Sequence, residues 1–321
     1  MILLFSLIST TAFSKTHVIK LGLIAPMGHP VEIASNLFKK EVEQNSGGKI
    51  KVIVYPGEQL GGEIELQDQV ALGTIQAANI GTPVMSAKHK KLDILNMYYL
   101  WNSVDHMNAV LNGPIGKILW EEYSAKSGVE VVSSNWLQGT RHTMTQKPVS
   151  VPADLKGIKI RVTAGVPLYN DLWKAMGANP VPLSFPEAYP SMKTGVVDAI
   201  ELPFQWMVKA GFTDLGQYVD LTSHYIYTNV LIFNKRWLDK LDDNFQTIIR
   251  DAADKAGKFN TKLVLENEEV LKKKIEAKNI QFVSVDLKSF QDSVQPVYEK
   301  NMNIWGKELY QQIMEQGKVF E

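Results

Sequence analysis

The chain has 321 residues, 45% of them hydrophobic, with 34 Lys and Arg against 34 Asp and Glu. That length is more than one core usually serves and suits two lobes, while a formal net charge of zero offers no field to draw in a polyanion, so nucleic acid is not an expected partner. The absence of cysteine excludes disulfides, thiol nucleophiles, Cys-type zinc sites and a lipid anchor on cysteine.

Residues 2–13 form an apolar run that closes on Ala12-Phe13-Ser14. Small residues there fit a secretory signal over 1–14, cut before Lys15. No Lys or Arg precedes the run, so either the true start lies upstream or the run is a buried N-terminal strand. The run is too short to span a bilayer as a mature helix.

Alternation of Val18, Leu21 and Leu23 with polar neighbours predicts a strand over 17–24. Ile33, Leu37 and Val42 recur at helical spacing over 31–44, and Ser46-Gly47-Gly48 stops that helix. A strand over 50–55 follows, then a helix over 63–72 opened by Gly61-Gly62 and ended by Gly73, then a strand over 75–80. The order returns later: strand 158–162, helix 166–176, strand 181–183, a helix with Ser184 and Glu187 as capping box, and strand 196–200. Gly73-Thr74-Ile75-Gln76-Ala77 and Gly195-Val196-Val197-Asp198-Ala199 occupy the same place in each series. Such alternation predicts parallel sheets with helices on their faces, in two lobes of similar build.

Residues 225–234 read as a strand. A helix then runs from Asp242 or Asp243 to about 277, with Phe245, Ile249, Ala252, Ala256, Phe259 and Leu263 on one side. At about 1.5 Å per residue it is on the order of 50 Å long, so it either kinks near Gly257 or lies across both lobes. The chain ends in a helical stretch over 290–314. The expected crossings between lobes fall near Ser134–Trp136 and Leu221–His224.

Motifs for catalysis are missing. The six histidines are scattered, none three or four apart on a helix, and there is no Gly-x-Ser-x-Gly elbow, phosphate loop or dinucleotide fingerprint. His29 and His142 read as surface or hinge hydrogen-bonding groups. The expectation is a protein that is not an enzyme and needs no cofactor or metal.

Arginine occurs only at 141, 161, 236 and 250, among many lysines. One reading is codon bias; the other is retention where a planar five-donor fork must meet a carboxylate. Arg161 lies near the end of a strand, where open parallel sheets bind ligands, and Arg141 lies at the entry to the same lobe.

The runs Gly139-Thr140-Arg141-His142, Pro152-Ala153-Asp154-Leu155-Lys156-Gly157-Ile158-Lys159-Ile160-Arg161-Val162 and Phe185-Pro186-Glu187-Ala188-Tyr189 closely resemble the substrate-binding subunits of tripartite ATP-independent periplasmic (TRAP) transporters. So do Gly195 through Pro203 and Tyr55-Pro56 through Glu63, and the resemblance covers nearly the whole chain after the signal. It implies an α/β, two-lobed periplasmic binding protein of the Venus-flytrap kind, with the long helix bridging the lobes. It also implies capture of a small organic acid and its delivery to a membrane permease driven by an ion gradient. A periplasmic ligand sensor for a membrane histidine kinase is the alternative. A monomer is expected.

The family's carboxylate-binding arginine falls on Arg161, its assisting arginine on Arg141, an aromatic lining position on Phe185 and a polar contact near Glu63. Many relatives place Asn before the Pro of the last motif; this chain has Leu202. Leu202 in the cleft favours an acid with an apolar or lightly hydroxylated body, with Trp206 also packing on it. Alternation leaves open that Glu201 faces the cleft in its place. Pro190 stands where a helix former is usual. The lobes are expected to comprise 15–138 with about 224–265, and 139–223 with about 266–321.

Overall fold

A computed structural model describes residues 16–320; the expected signal over 1–14 lies outside them. The strands are β1 (His17–Leu23), β2 (Ile50–Tyr55), β3 (Ala77–Gly81), β4 (Val129–Thr145), β5 (Lys159–Thr163), β6 (Asn179–Leu183), β7 (Ala199–Pro203), β8 (Tyr218–Asn234) and β9 (Gln281–Val283). They join in one hydrogen-bonded path, β2-β1-β3-β8-β4-β7-β5-β6, with β9 paired to β8.

The parallel expectation holds within each half: β1 is parallel to β2 and β3, and β5 is parallel to β6 and β7. What joins the halves differs from it. β4 and β8, of 17 residues each, run antiparallel through both. Their pairing skips between Arg141↔Tyr225 and Thr143↔Asp220, which leaves residues 221–224 out of register. β4 pairs with β7 only from Arg141 to Met144. The two expected crossings therefore lie inside two long strands rather than in loops.

Apolar residues sort by sheet face, because successive strand side chains point opposite ways. Ile19, Leu21, Leu231, Phe233, Ile200 and Leu202 join one core. Ile80, Val230, Ile232, Ile160, Val162 and Ala199 join the other. Each core therefore draws on both halves of the sheet.

The long helix is Asp243–Glu276, unbroken over 34 residues. Gly257 does not kink it. A Cβ there would sit 1.8 Å from Asn135 Oδ1 and 3.0 Å from Trp136 Nε1, so the glycine permits close approach to β4. Asn260 Nδ2 donates to the Leu137 carbonyl at 2.7 Å, and Thr261 Oγ1 to the Asn135 carbonyl at 2.7 Å. The same helix packs on helix Pro30–Asn45 and on the short helix Phe204–Lys209 that follows β7, and so touches both halves. The terminal stretch divides into Leu287–Ser293, Gln295–Trp305 and Lys307–Gly317, interrupted near Pro296 and at Gly306, whose φ is +88°. Helix Phe185–Lys193 accommodates Pro190 without ending, and its box forms as expected: Ser184 N–H and Oγ donate to Glu187 Oε2 at 2.9 and 2.5 Å.

Candidate ligand-binding site

A cleft of about 520 Å³ opens between the halves, within the usual range for a small-molecule site. From one side come Glu58, Glu63, Glu65 and Val84; from the other come Arg161, Thr163, Ser184 and Phe185. Arg141, Leu202, Trp206 and Tyr227 complete it. Six of the seven residues expected from the sequence line this space. The seventh, Glu201, does not.

β5 presents Arg161 into the cleft with its side chain almost wholly buried. Its Nε and Nη2 donate to the Leu183 carbonyl of β6 at 3.0 and 2.7 Å. Those two bonds fix the plane of the guanidinium and leave three of its five N–H groups undirected. Its carbon lies 5.9 Å from the centre of the Phe185 ring. Among the described residues Arg161 forms no ion pair. Burial lowers it to about 10. Glu201 and Glu63 favour its charge from nearby without pairing with it; a buried cation with free donors and no ion-pair partner calls for an anion.

Arg141 is different. Its Nη2 donates to Glu201 Oε1 at 2.5 Å and to the Glu201 carbonyl at 2.9 Å, and its Nε to Glu201 Oε2. Burial opposes its charge, but Glu201 overrides that and raises Arg141 above its ordinary range. Glu201 is driven up by burial and down, on balance, by Arg141 and His224. His224 Nε2 lies 3.2 Å from Glu201 Oε2, and His224 Nδ1 lies 2.8 Å from Thr222 Oγ1. Strand alternation decides the Glu201 and Leu202 question. Leu202 faces the cleft, and Glu201 turns to the opposite side beneath Arg141.

Glu63 begins helix Glu63–Leu72 and accepts from the Gly81 N–H at 2.6 Å and from the Tyr227 hydroxyl at 3.4 Å. Burial raises its carboxyl pKa, against these bonds and the two arginines. Tyr227 also lies under Arg141, 4.9 Å from ring centre to guanidinium carbon. The rings of Phe185 and Trp206 meet edge to face at 5.0 Å, and make an apolar wall with Leu202. Trp206 Nε1 donates to Gln138 Oε1 at 3.2 Å, which fixes the indole.

His29 and His142 are not surface groups; both are buried. His29 caps helix Pro30–Asn45, its Nδ1 accepting from Val31 N–H at 3.2 Å, and its ring lies 4.5 Å from Trp206. His142 Nδ1 accepts from Ser223 N–H at 3.3 Å, so it serves the register break between β4 and β8. Sequence reasoning missed Glu58, Glu65 and Tyr227. The run of three glutamates flanking Gly61-Gly62 was the available signal for two of them.

A family model described as bacterial extracellular solute-binding protein, family 7, matches residues 21–303. A solute-binding protein of Roseobacter denitrificans is 32% identical over 93% of this chain and 91% of its own. Among solved structures, a TRAP periplasmic solute-binding protein of Citrobacter koseri with bound D-glucuronate is 28% identical, with a TM-score of 0.88 over 93% of this chain and 99% of its own. One from Polaromonas sp. JS666 bound to D-erythronate is 27% identical, with a TM-score of 0.88 over 92% and 98%.

Proposed function

The chain belongs to the bacterial extracellular solute-binding proteins of family 7, and we propose that it closes on the carboxylate of a small organic acid held by Arg161 and delivers it to a membrane permease driven by an ion gradient. Members of the family are transport receptors, so the protein is not an enzyme, and a sensor coupled to a histidine kinase finds no support. The observation that carries the proposal is the buried Arg161 guanidinium, tied to Leu183 yet without an ion-pair partner, in the lining of the interlobe cavity.

On this reading Arg141 assists through the donors that Glu201 leaves free, and Phe185, Leu202 and Trp206 pack against the ligand body. The lobe of 15–138 with about 224–265 supplies Glu63, and the lobe of 139–223 with about 266–321 supplies both arginines. The protein acts as a monomer in the periplasm, carried there by a signal peptide over 1–14. The bound sugar acids of the neighbours, D-glucuronate and D-erythronate, are carboxylates and agree with this chemistry.

Mass spectrometry of small molecules released by denaturing freshly purified protein tests the proposal. A small carboxylic acid is expected. A retained ligand without a carboxylate would overturn it.

A further inference from the structure

We propose that Ile64 and Gly165 form a contact that holds the two halves shut over the cleft, so that Ile64 governs how long a captured solute stays. The inference rests on the reading of this cleft, with Arg161 in it, as the place of capture.

Ile64 lies in the first turn of helix Glu63–Leu72, which packs on β1 and β3. Gly165 follows β5 and precedes helix Pro167–Ala175, in the other half. Ile64 lines the cleft, and so do Thr163 and Ala164, which lead into Gly165. A Cβ built at Gly165 would fall 2.6 Å from Ile64 Cδ1 and 3.8 Å from its Cγ1. The isoleucine of one half therefore rests against the backbone of the other.

Packing within its own half does not account for this side chain. Ile64 is 38% exposed and joins neither apolar core. The contact that shields its terminal methyl is the one with Gly165, and removing that methyl from water favours the shut arrangement.

Gly165 meets two separate demands. Its φ of +80° lies in the left-handed region, which asparagine also enters. The closeness of Ile64 adds the second demand, because a side chain at 165 displaces the isoleucine or parts the halves. Either way the contact is lost. Among the described residues no hydrogen bond or ion pair joins 58–65 to 161–165 across the cleft. This lip is thus closed by an apolar touch that strands no polar group when it opens. Such a touch exists only while the halves are together, so its loss speeds escape and leaves capture alone.

Stopped-flow fluorescence of the full-length protein separates capture from escape, with Trp206 in the cleft lining as reporter. The probes are D-glucuronate, D-erythronate and succinate, and the tightest binder among them is carried forward. Ile64→Ala should speed its escape by about fivefold and change its capture by less than about twofold. Ile64 also lines the cleft, so Gly165→Ala, outside the lining, is the second variant. Strain at φ +80° is present with and without solute and cancels in the affinity. A loss of affinity of about threefold or more from Gly165→Ala therefore reports the contact. In the Ile64→Ala background the same change should weaken binding by less than about 1.5-fold. An escape rate unmoved by Ile64→Ala, or a Gly165→Ala loss that is absent or equal in both backgrounds, overturns the inference and leaves the Arg161 reading intact. If the parent protein binds none of the probes, the Arg161 reading falls, and this inference with it.

Discussion

Arg141 and Glu201 lock together beneath the cleft, guanidinium to carboxylate at 2.5 Å and guanidinium to backbone carbonyl at 2.9 Å. Both side chains are buried, so the pair is a fixed part of the floor and not a free anion trap. Glu201→Ala leaves a buried cation without its partner and His224 without its acceptor. Unfolding in urea should show a loss of about 3–5 kcal/mol. A loss under about 1 kcal/mol would mean that the pair is solvated.

Arg161 has the opposite character, and its removal should act on binding. Arg161→Ala should weaken the ligand by about two to four decades, the consequence of roughly 3–5 kcal/mol for an unpaired buried charge. Arg161→Lys should also weaken it, because an ammonium cannot hold the Leu183 carbonyl and a carboxylate with one planar fork. Calorimetry that finds both variants within threefold of the parent protein would refute the assignment.

Leu202 lines the cleft and offers neither donor nor acceptor to a ligand hydroxyl beside it. Such a hydroxyl is left desolvated at about 1–3 kcal/mol. Leu202→Asn should therefore strengthen polyhydroxylated acids relative to sparsely hydroxylated ones by about fivefold to a hundredfold. A thermal-shift comparison of aldonates with simple aliphatic acids reads it. An unchanged order between the two classes would show that Leu202 makes no ligand contact.

Gly257→Ala sets helix propensity against packing. Alanine gains about 1 kcal/mol in a helix. The new methyl, however, would lie 1.8 Å from Asn135 Oδ1, and that side chain is held by Ser133 and by Asp254. Overpacking of this kind costs about 1–3 kcal/mol, so a lower melting temperature is expected. A higher one would show that β4 can yield.

Acid should destabilise the fold through its histidines. Burial, with Lys209, holds His29 at about 3; burial, with His224 and Lys272, holds His142 at about 3. An unfolded histidine titrates near 6.5, so between about 6.5 and 3 the unfolded chain binds two protons that the folded chain refuses. Stability from both is full above 6.5 and falls as the pH drops. Asp220 opposes this: burial raises it to about 6 from 3.8, so folding takes up its proton in that window. Two against one leaves a net loss of roughly 1 kcal/mol per pH unit between 6 and 4. Urea unfolding across that range should show it, and a flat or rising profile would contradict it.

The elements legible in the sequence are those whose periodicity comes from apolar residues. β2 and the helix Glu63–Leu72 fall where Ile50, Val52 and Val54 and the flanking glycines put them. β8 was readable only from Tyr225, although it begins at Tyr218. Its first part buries Asp220, Thr222 and His224, which satisfy Thr143, Thr145 and Glu201, so its inward face looks polar. β4 escaped notice as one strand because four register shifts break its alternation. β7 starts at Ala199, three residues later than read, after a turn in which the Asp198 N–H donates to the Lys159 carbonyl. Arg161 was legible through strand position, whereas Leu202 was reached through the family resemblance, with alternation leaving Glu201 open in its place. The role of Glu201 was not legible, because its partner Arg141 is distant in sequence and meets it only through the pairing of β4 with β7.

β4 and β8 belong to both halves at once. A fragment that kept only β1, β2 and β3 would expose the edge of β3 that β8 covers, and one that kept only β5, β6 and β7 would expose the edge of β7 that β4 covers. Bare edges of that kind pair with other chains. The protein therefore cannot be dissected into two separately folding lobes as a tandem of domains can. Heat or denaturant should dissolve both halves in one transition, and grafting a lobe from a relative would have to carry these two strands with it.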